Sequence, residues 1–200
     1  MAATASTMLP LGTLAPDFHL PDTAGSVVSR DDFSGCPALL VMFLCNHCPY
    51  VRHVAEEVVR LSAEYQARGV GVVAISSNDI ARFPEDAPAR MAEVAAAMGF
   101  TAPYLYDETQ AVATAYHAAC TPDFFAFDAE RRLAYRGQLD GARPGNDVPV
   151  TGQDLRAALD AIIAGTQVAE PQRPSLGCSI KWKPGNEPDY VLPEQIHAGS

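Results

Sequence analysis

ALLVMFLCNHCPY, residues 38–50, joins an apolar run to two cysteines and a proline. The run from Ala38 to Leu44 has no polar residue, which is typical of a central parallel strand that is buried on both faces. Cys45 and Cys48 follow this run at once, with two residues between them. The stretch therefore predicts a buried strand that turns directly into a thiol-bearing loop.

A helix is predicted to begin at Pro49, directly after the second cysteine. Apolar residues then follow at helical spacing, namely Val51, Val54, Val58 and Leu61. Proline is favoured at the first helical position, which makes Cys48 the expected N-cap. A sulfur at this position faces unpaired backbone N–H groups and the positive end of the helix dipole, and both stabilise a thiolate. We therefore expect Cys48 to have a lowered pKa and to act as a nucleophile.

The composition indicates a globular, acidic protein. The chain has 200 residues, of which 48% are hydrophobic and 19% charged, so it can bury a core. The formal net charge of −10 argues against non-specific binding to nucleic acid or to anionic membranes. No apolar stretch approaches the roughly 20 residues that span a bilayer. The first residues lack the basic cluster and apolar core of a secretory signal, so we expect a cytoplasmic location.

The cysteine content favours redox chemistry. Five cysteines are too few for a disulfide-stapled scaffold in a chain of this size. A C-x-x-C among alternating strands and helices is typical of a redox motif. A zinc site would normally need a second ligand pair with similar short spacing, and the sequence contains none. We therefore expect neither a cofactor nor a resident metal.

The rest of the chain predicts one domain of alternating strands and helices. Further strands are predicted over residues 16–20, 25–28, 70–76, 104–106, 123–127 and 133–136. Helices are predicted over residues 49–68, 85–98, 109–119 and about 153–164. This order predicts an α/β fold, with a central mixed sheet flanked by helices and an N-terminal β-hairpin extension. Residues 10–167 are expected to form the domain, and residues 168–200 an irregular C-terminal tail that wraps it.

Several short motifs, spread over residues 10 to 165, carry a family resemblance together. They are Ala15-Pro16-Asp17-Phe18, Phe33-Ser34-Gly35, Phe43 to Pro49, Thr121-Pro122 and Tyr135-Arg136-Gly137. As a set they resemble the redoxin branch of the thioredoxin-like superfamily, which includes AhpC/TSA proteins and thiol-disulfide oxidoreductases. The resemblance implies a thioredoxin-like fold. It also implies that the Thr121–Pro122 peptide is cis and belongs to the catalytic site, where its backbone groups can pair with a substrate segment.

Two alignments with this superfamily are open. In the first, Cys45 and Cys48 match the two cysteines of the C-x-x-C motif, and Cys45 attacks. In the second, residues 43–51 lie on the pattern F-W-A-x-W-C-P-x-C, so that Cys48 takes the attacking position and Val51 replaces the second cysteine. The short gap after the phenylalanine and the proline after Cys48 favour the second alignment. The resemblance therefore implies that Cys48 is the nucleophile and Cys45 its disulfide partner.

Three further residues are candidates for auxiliary roles. His47, between the two cysteines, would stabilise a thiolate when protonated, or would lie exposed on the loop. Cys120, near the expected cis peptide, would be a second resolving thiol, a metal ligand or a small helix-end residue. Cys178 would reach the site from the tail as a distal resolving thiol, or would be a packed thiol. Besides these three, Asn78 and Asp79 end a strand on the same side as Cys48, where the sites of α/β sheets form, and are further candidates.

The sequence thus predicts a thiol-disulfide oxidoreductase in which Cys48 attacks and a Cys45–Cys48 disulfide closes. A peroxiredoxin-like thiol peroxidase is the second hypothesis. Against it, Cys45 stands where that family has a threonine, and the family's arginine near residues 121–123 is missing. A copper- or zinc-binding protein of the same fold is the third. Expected partners are protein or small-molecule disulfides or peroxides, and a thiol reductant such as a thioredoxin or a low-molecular-weight thiol; neither nucleic acid nor a membrane is expected.

Overall fold

The computed structural model describes residues 3–191, in which ten strands and four α-helices alternate. The strands are Thr4–Ala5 (β1), His19–Pro21 (β2), Val27–Ser29 (β3), Leu39–Phe43 (β4), Gly71–Ser76 (β5), Tyr104–Tyr106 (β6), Cys120–Thr121 (β7), Asp123–Phe127 (β8), Leu133–Gly137 (β9) and Leu176–Ser179 (β10). The α-helices are Pro49–Ala67 (α1), Pro88–Met98 (α2), Ala111–Ala115 (α3) and Gln153–Ile163 (α4). Short 3-10 helices cover Arg30–Phe33 and Pro84–Asp86.

Five strands form the central sheet, in the order β6-β5-β4-β8-β9. Strands β4, β5 and β6 are parallel, whereas β8 is antiparallel to both of its neighbours. The register pairs Val41 of β4 with Val73 on one side and with Phe125 on the other. Every residue of β4 is buried, which explains why this strand has no polar position. The predicted mixed sheet is confirmed.

Strand β4 contributes to two hydrophobic cores, one on each face of the sheet. Leu40 and Met42 pack in the core that α1, α2 and α4 cover, with Leu61, Met91 and Leu159. Leu39, Val41 and Phe43 pack in the other, with Phe18, Tyr116, Phe125 and Trp182. Because successive strand residues point to opposite faces, one continuous apolar run serves both cores. The strand end that carries the cysteines is therefore held rigidly from both sides.

Helix α1 begins as predicted, with Cys48 as its N-cap. The backbone of Cys48 is extended (φ −68°, ψ 123°), and Pro49 occupies the first helical turn. The helix ends at Ala67, and Gly69 two residues later has φ 85°, a left-handed conformation that glycine adopts without steric cost. The helix therefore has defined boundaries at both ends.

The prediction of a helix over residues 109–119 is wrong at both ends. The structure forms only α3, because His117 adopts a left-handed conformation (φ 53°) that stops the helix. The chain then runs into β7, where its backbone pairs with another strand instead of with itself. Asp107, a predicted helix cap, accepts a hydrogen bond from the N–H of Ala113 at 2.9 Å but is not the N-cap residue.

The helix predicted over residues 85–98 begins later, at Pro88. Residues Pro84–Asp86 form a separate 3-10 turn, and Ala87 is extended, as is favoured before a proline. The turn carries Asp86 into the interior, where the residue is 0% exposed. This local difference matters because Asp86 becomes part of the site described below.

The C-terminal tail was predicted to be irregular, but part of it is a strand. Strand β10 lies between β1 and β7 in a three-stranded antiparallel sheet. After it, Ile180 and Trp182 are buried in the second core. The tail therefore contributes to the interior and not only to the surface. Residues 192–200 of the predicted tail lie outside the described residues.

Candidate active site

Cys48 lies at the junction between the central strand β4 and helix α1. Its side chain is fully buried, with 0% of its surface exposed. In its thiol form, the sulfur donates a hydrogen bond to the carbonyl oxygen of Thr121 at 3.2 Å. The carboxyl end of a parallel strand is where the sites of open α/β sheets form, and the cysteine occupies that position.

The surroundings of Cys48 lower the pKa of its thiol well below the ordinary value. The largest cause is a hydrogen bond between the Cys178 side chain and the Cys48 sulfur, and the next is one from the Cys45 side chain. Burial acts in the opposite direction and is outweighed. The backbone N–H groups of Val51 and Cys178 stabilise the thiolate further. Of the three thiols, Cys48 is therefore the one whose ionisation these surroundings favour.

Cys45 has the opposite electrostatic character. Its hydrogen bond with Cys48, its burial and the negative charge of Asp86 all raise the pKa of its thiol well above the ordinary value. The Cys45 sulfur lies 3.2 Å from the hydroxyl oxygen of Thr121, which stabilises the thiolate to a smaller extent. The surroundings thus favour ionisation at Cys48 and protonation at Cys45.

The Thr121–Pro122 peptide is cis, as the resemblance implies. Thr121 contacts both cysteines, since its carbonyl oxygen accepts from Cys48 and its hydroxyl lies beside Cys45. The structure therefore brings together four predicted site residues, Cys45, Cys48, Thr121 and Pro122.

Cys178 belongs to the same cluster of buried residues as Cys45 and Cys48. It reaches the site through β10, in which its Cα lies opposite that of Thr121 in the antiparallel register. The pKa of the Cys178 thiol is raised, because its side chain hydrogen-bonds with the Cys48 thiolate and because it is buried. The tail thus supplies a third thiol to the site.

Cys120 lies apart from this three-thiol cluster. Its sulfur is 3.8 Å from the carbonyl oxygen of Pro122, and its side chain is fully buried. Burial, with the nearby charge of Asp123, raises the pKa of the Cys120 thiol well above the ordinary value. The structure therefore gives Cys120 the properties of a packed thiol.

His47 is not exposed on the loop but packed into the site. Its side chain is 13% exposed, and its ring stacks on Phe83 with centroids 5.2 Å apart. A hydrogen bond with the carboxylate of Asp86 is the largest cause that raises the pKa of the imidazole. The imidazolium form is therefore favoured beside the two cysteines.

Asp86 is a component of the site that the sequence analysis did not predict. Burial raises the pKa of its carboxyl group, but hydrogen bonds from His47, Asn78 and the backbone of Asn46 outweigh burial, and the net pKa is lowered. Nothing in the local sequence Pro84-Glu85-Asp86 distinguishes this residue from a solvated loop carboxylate. Only the packing of the 3-10 turn against the cysteine loop reveals it.

Asn78, a weak candidate from the sequence, contacts this carboxylate directly. Its side-chain N–H donates to Asp86 Oδ2 at 2.7 Å, and its side-chain oxygen accepts from the backbone N–H of Lys181 at 2.8 Å. The amide therefore connects the buried carboxylate to the tail that carries Cys178.

Two further features of the site concern ligands. Three side chains, those of Cys45, His47 and Asp86, each place one potential ligand atom within 4.8 Å of the other two. Sulfur, nitrogen and oxygen donors of this kind bind Zn²⁺ or copper. An apolar pocket of about 70 Å³ also adjoins Cys45, and its lining includes Val51, Val58, Val94, Met98 and Tyr104. The pocket lies between α1 and α2, so it opens on the Cys45 side of the site.

Residues 11–136 match the model of the AhpC/TSA family, and the chain belongs to this family. No protein of curated function matches the chain significantly. The chain is similar to an uncharacterized conserved protein from Geobacillus kaustophilus, with a TM-score of 0.91, 54% identity, and coverage of 92% of this chain and 98% of that chain. It is also similar to a hypothetical protein from Sinorhizobium meliloti, with a TM-score of 0.90, 50% identity, and coverage of 91% and 100%.

Two more distant structures show the fold alone. The chain resembles Peroxidoxin BcpB from Mycobacterium tuberculosis with a TM-score of 0.59 and 19% identity, over 77% of this chain and 96% of that chain. It also resembles the thioredoxin domain of a thiol-disulfide oxidoreductase from Bacteroides vulgatus, with a TM-score of 0.55 and 18% identity over 68% of this chain and 90% of that chain, so the implied thioredoxin-like fold is confirmed. Family membership supports a thiol oxidoreductase or peroxidase in general. Among the helices of the described residues, none has both the length and the apolar character to cross a membrane.

Proposed function

We propose that the protein is a thiol-disulfide oxidoreductase in which Cys48 attacks and Cys45 closes the disulfide. The observation that carries the proposal is the position of Cys48, which is the N-cap of α1 and lies in one buried cluster with Cys45 and Cys178, in surroundings that lower the pKa of its thiol despite burial. A thiolate, not a thiol, is the nucleophile in exchange with a disulfide. The raised pKa of Cys45 supports the assignment, since this thiol keeps its proton until Cys48 has reacted.

The reaction consists of two exchanges. The Cys48 thiolate attacks a substrate disulfide, forms a mixed disulfide with one half and releases the other half as a thiolate, which takes up a proton. Cys45 then attacks the Cys48 sulfur, its own proton passes to the second departing thiolate, and a Cys45–Cys48 disulfide remains. The substrate gains two electrons and the protein loses two. A thiol reductant, such as a thioredoxin or a low-molecular-weight thiol, would return the protein to its dithiol form.

Thr121 and Pro122 would position the reacting groups. Thr121 contacts the sulfurs of both cysteines, at 3.2 Å from its carbonyl oxygen and 3.2 Å from its hydroxyl oxygen. We assign the substrate segment to the backbone of this residue, beside the Cys48 sulfur. The class of substrate is a protein or small-molecule disulfide, and the expected cytoplasmic location is part of the same proposal, which cell fractionation would check.

The test is cleavage of a model disulfide by the reduced protein. Cys48→Ser should abolish the release of thiol, and Cys36→Ser should leave it unchanged. Cys36 is a suitable control because it is free and only half-buried, and because it precedes β4 at the end of the strand opposite the site. Full activity of Cys48→Ser would refute the proposal.

A thiol peroxidase is the second candidate, favoured by the AhpC/TSA family match. In this reaction the Cys48 thiolate would attack a peroxide, become a sulfenic acid and release water or an alcohol. Cys45 would then condense with the sulfenic acid to form the same disulfide. Stopped-flow consumption of hydrogen peroxide at the rate of a free thiol would exclude this candidate.

A metal-binding role is the third candidate, favoured by the proximity of Cys45, His47 and Asp86. Against it, His47 Nδ1 and Asp86 Oδ2 already form a hydrogen bond of 2.6 Å with each other, and a shared metal ion would have to break it. Elemental analysis of protein purified without chelator provides the test. Stoichiometric copper or zinc, lost in Cys45→Ser, would favour this role over the redox reaction.

A further inference from the structure

Strand β10 holds Cys178 against the nucleophile by backbone pairing, and not by a loose contact of the tail. Cys178 pairs with Thr121, and Ser179 pairs with Cys120 in the same antiparallel ladder. On the outer side, Gly177 pairs with Thr4 of β1. After the strand, the N–H of Ile180 donates to the carbonyl oxygen of Ala119 at 3.0 Å. Strand β10 is therefore fixed beside Thr121 by backbone hydrogen bonds on both of its edges.

Gly177 brings this strand unusually close to the peptide beside the cysteines. A Cβ atom at this position would lie 2.0 Å from the carbonyl oxygen of Thr121 and 3.1 Å from the nitrogen of Pro122. Such distances exclude any side chain unless the backbone moves. Only glycine therefore lets β10 approach Thr121 this closely, with Cys178 as its next residue.

The strand also covers the nucleophile. Cys48 has 0% of its surface exposed, so a substrate reaches its sulfur only if the surrounding structure opens. The backbone of Thr121, which we assign to the substrate segment, is already paired with the tail. Strand β10 thus occupies the position proposed for the substrate, with a cysteine next to the attacking sulfur.

The charges around Cys178 change as the reaction proceeds. The hydrogen bond with the Cys48 thiolate and burial raise the pKa of the Cys178 thiol, and the ammonium group of Lys181 opposes them. When Cys48 enters a mixed disulfide its negative charge disappears, and with it the largest cause of that shift. The Cys178 thiol should then lose its proton more readily, at the stage at which a second thiolate is needed.

We infer that Cys178 is a resolving cysteine of this site, and that β10 acts as an internal substrate segment that returns it to Cys48. The inference rests on the proposed function and changes only its second exchange, in which Cys178 and not Cys45 displaces the substrate's second thiolate. The Cys178 thiolate attacks the Cys48 sulfur of the mixed disulfide, a Cys48–Cys178 bond forms, and the substrate's second thiolate leaves with the proton from Cys178. Cys45 can then attack Cys48, which forms the Cys45–Cys48 disulfide and frees Cys178 as a thiol without any further oxidant.

The test uses oxidised glutathione as the probe disulfide, with quenching by an alkylating agent and disulfide mapping by mass spectrometry. In Cys45→Ser, a Cys48–Cys178 disulfide should form within single chains, at a rate independent of protein concentration. In the double variant Cys45→Ser/Cys178→Ser, a Cys48–glutathione adduct should persist. Its decay should be at least about a hundredfold slower than in Cys45→Ser, because neither resolving thiol remains next to Cys48. Cys45→Ser/Cys36→Ser is the matched control and should behave as Cys45→Ser.

The outcomes separate the inference from the function on which it rests. A stable Cys48–glutathione adduct beside free Cys178 in Cys45→Ser would overturn the inference alone. The absence of any adduct or disulfide at Cys48 would overturn the proposed function as well. If Cys45→Ser does not fold, early quenching of the wild-type protein replaces it: a transient Cys48–Cys178 bond supports the inference, and a Cys45–Cys48 bond that forms directly from the adduct refutes it.

Discussion

His47 Nδ1 lies 2.6 Å from Oδ2 of Asp86, although 39 residues separate them in the sequence. The same carboxylate accepts hydrogen bonds from the backbone N–H of Asn46 and from the side chain of Asn78, both at 2.7 Å. The buried carboxylate thus fixes the loop between the two cysteines to the turn that follows β5. It also favours a positive charge on the imidazole next to the reacting sulfurs.

The His47–Asp86 pair should make stability depend on pH in a defined window. The pKa of His47 is raised, so its contribution is present below the ordinary imidazole value of about 6.5 and is lost as pH rises through the folded-state pKa. The pKa of Asp86 is lowered, so its contribution is present above about 3.9 and is lost as pH falls through the folded-state pKa. His47→Gln should therefore cost most between these values, about 2 kcal/mol of unfolding free energy.

Urea unfolding at several pH values provides this measurement. Asp86→Asn should cost more, about 3 kcal/mol, because it removes the charge that four donors surround in the interior. His53→Gln is the matched control, since His53 is exposed on α1. If His47→Gln lowers the unfolding free energy by the same amount from acid to alkaline pH, the assigned ion pair is contradicted.

Cys48 should be the thiolate of the reduced protein at neutral pH. Its lowered pKa predicts a thiolate ultraviolet absorbance at pH 7 that disappears as pH falls through the folded-state pKa. Cys48→Ser should remove this absorbance, and Cys45→Ser should retain it. In Cys45→Ser the midpoint of the thiolate titration should move to higher pH, because the hydrogen bond from Cys45 is missing. An absorbance that survives in Cys48→Ser and vanishes in Cys45→Ser would reverse the roles of the two cysteines.

Gly177→Ala should push β10 away from Thr121 and expose the nucleophile. The added Cβ would meet the Thr121 carbonyl oxygen at 2.0 Å, and such overpacking typically costs about 1–3 kcal/mol. If this cost falls on the paired position of β10, the fraction of molecules with the strand detached rises roughly five- to hundredfold, and the alkylation rate of Cys48 rises with it. Gly35→Ala is the control, because a Cβ there has no heavy atom within 4 Å. Unchanged alkylation in Gly177→Ala would mean that β10 does not limit access.

Lys181→Met should slow resolution by Cys178 without slowing the first exchange. The Lys181 ammonium lies 5.6 Å above the Phe83 ring and lowers the pKa of Cys178 against the effects of Cys48 and burial. Without it the second step should need a higher pH, since less Cys178 is ionised at a given pH. Rapid quenching with oxidised glutathione in the Cys45→Ser background measures the two steps separately. The control is Lys183→Met, and an equal slowing of both steps by Lys181→Met would contradict the assigned role.

Much of the fold followed from local patterns. The apolar run of β4 required burial on both faces, and Pro49 after Cys48 required a helix start with the cysteine as N-cap. The helix over residues 109–119 failed for a non-local reason. Its last residues include the good helix former alanine, but His117 adopts a left-handed conformation, and the carbonyl oxygen of Ala119 accepts from the N–H of Ile180 in the tail. Tertiary pairing outweighed local propensity there.

The sequence by itself determined the family, the mixed sheet and the helix start after Cys48, because these follow from short motifs and from the order of strands and helices along the chain. The tertiary structure alone decided the partners of that sulfur. Asp86 carries no local signal, and the sequence left Cys178 open between a distal resolving thiol and a packed thiol. The two residues come to the site through a 3-10 turn and through a strand of the tail. Hydrogen bonds and charges act over a few ångströms of space, so contacts between distant segments set the pKa values that separate Cys48 from Cys45.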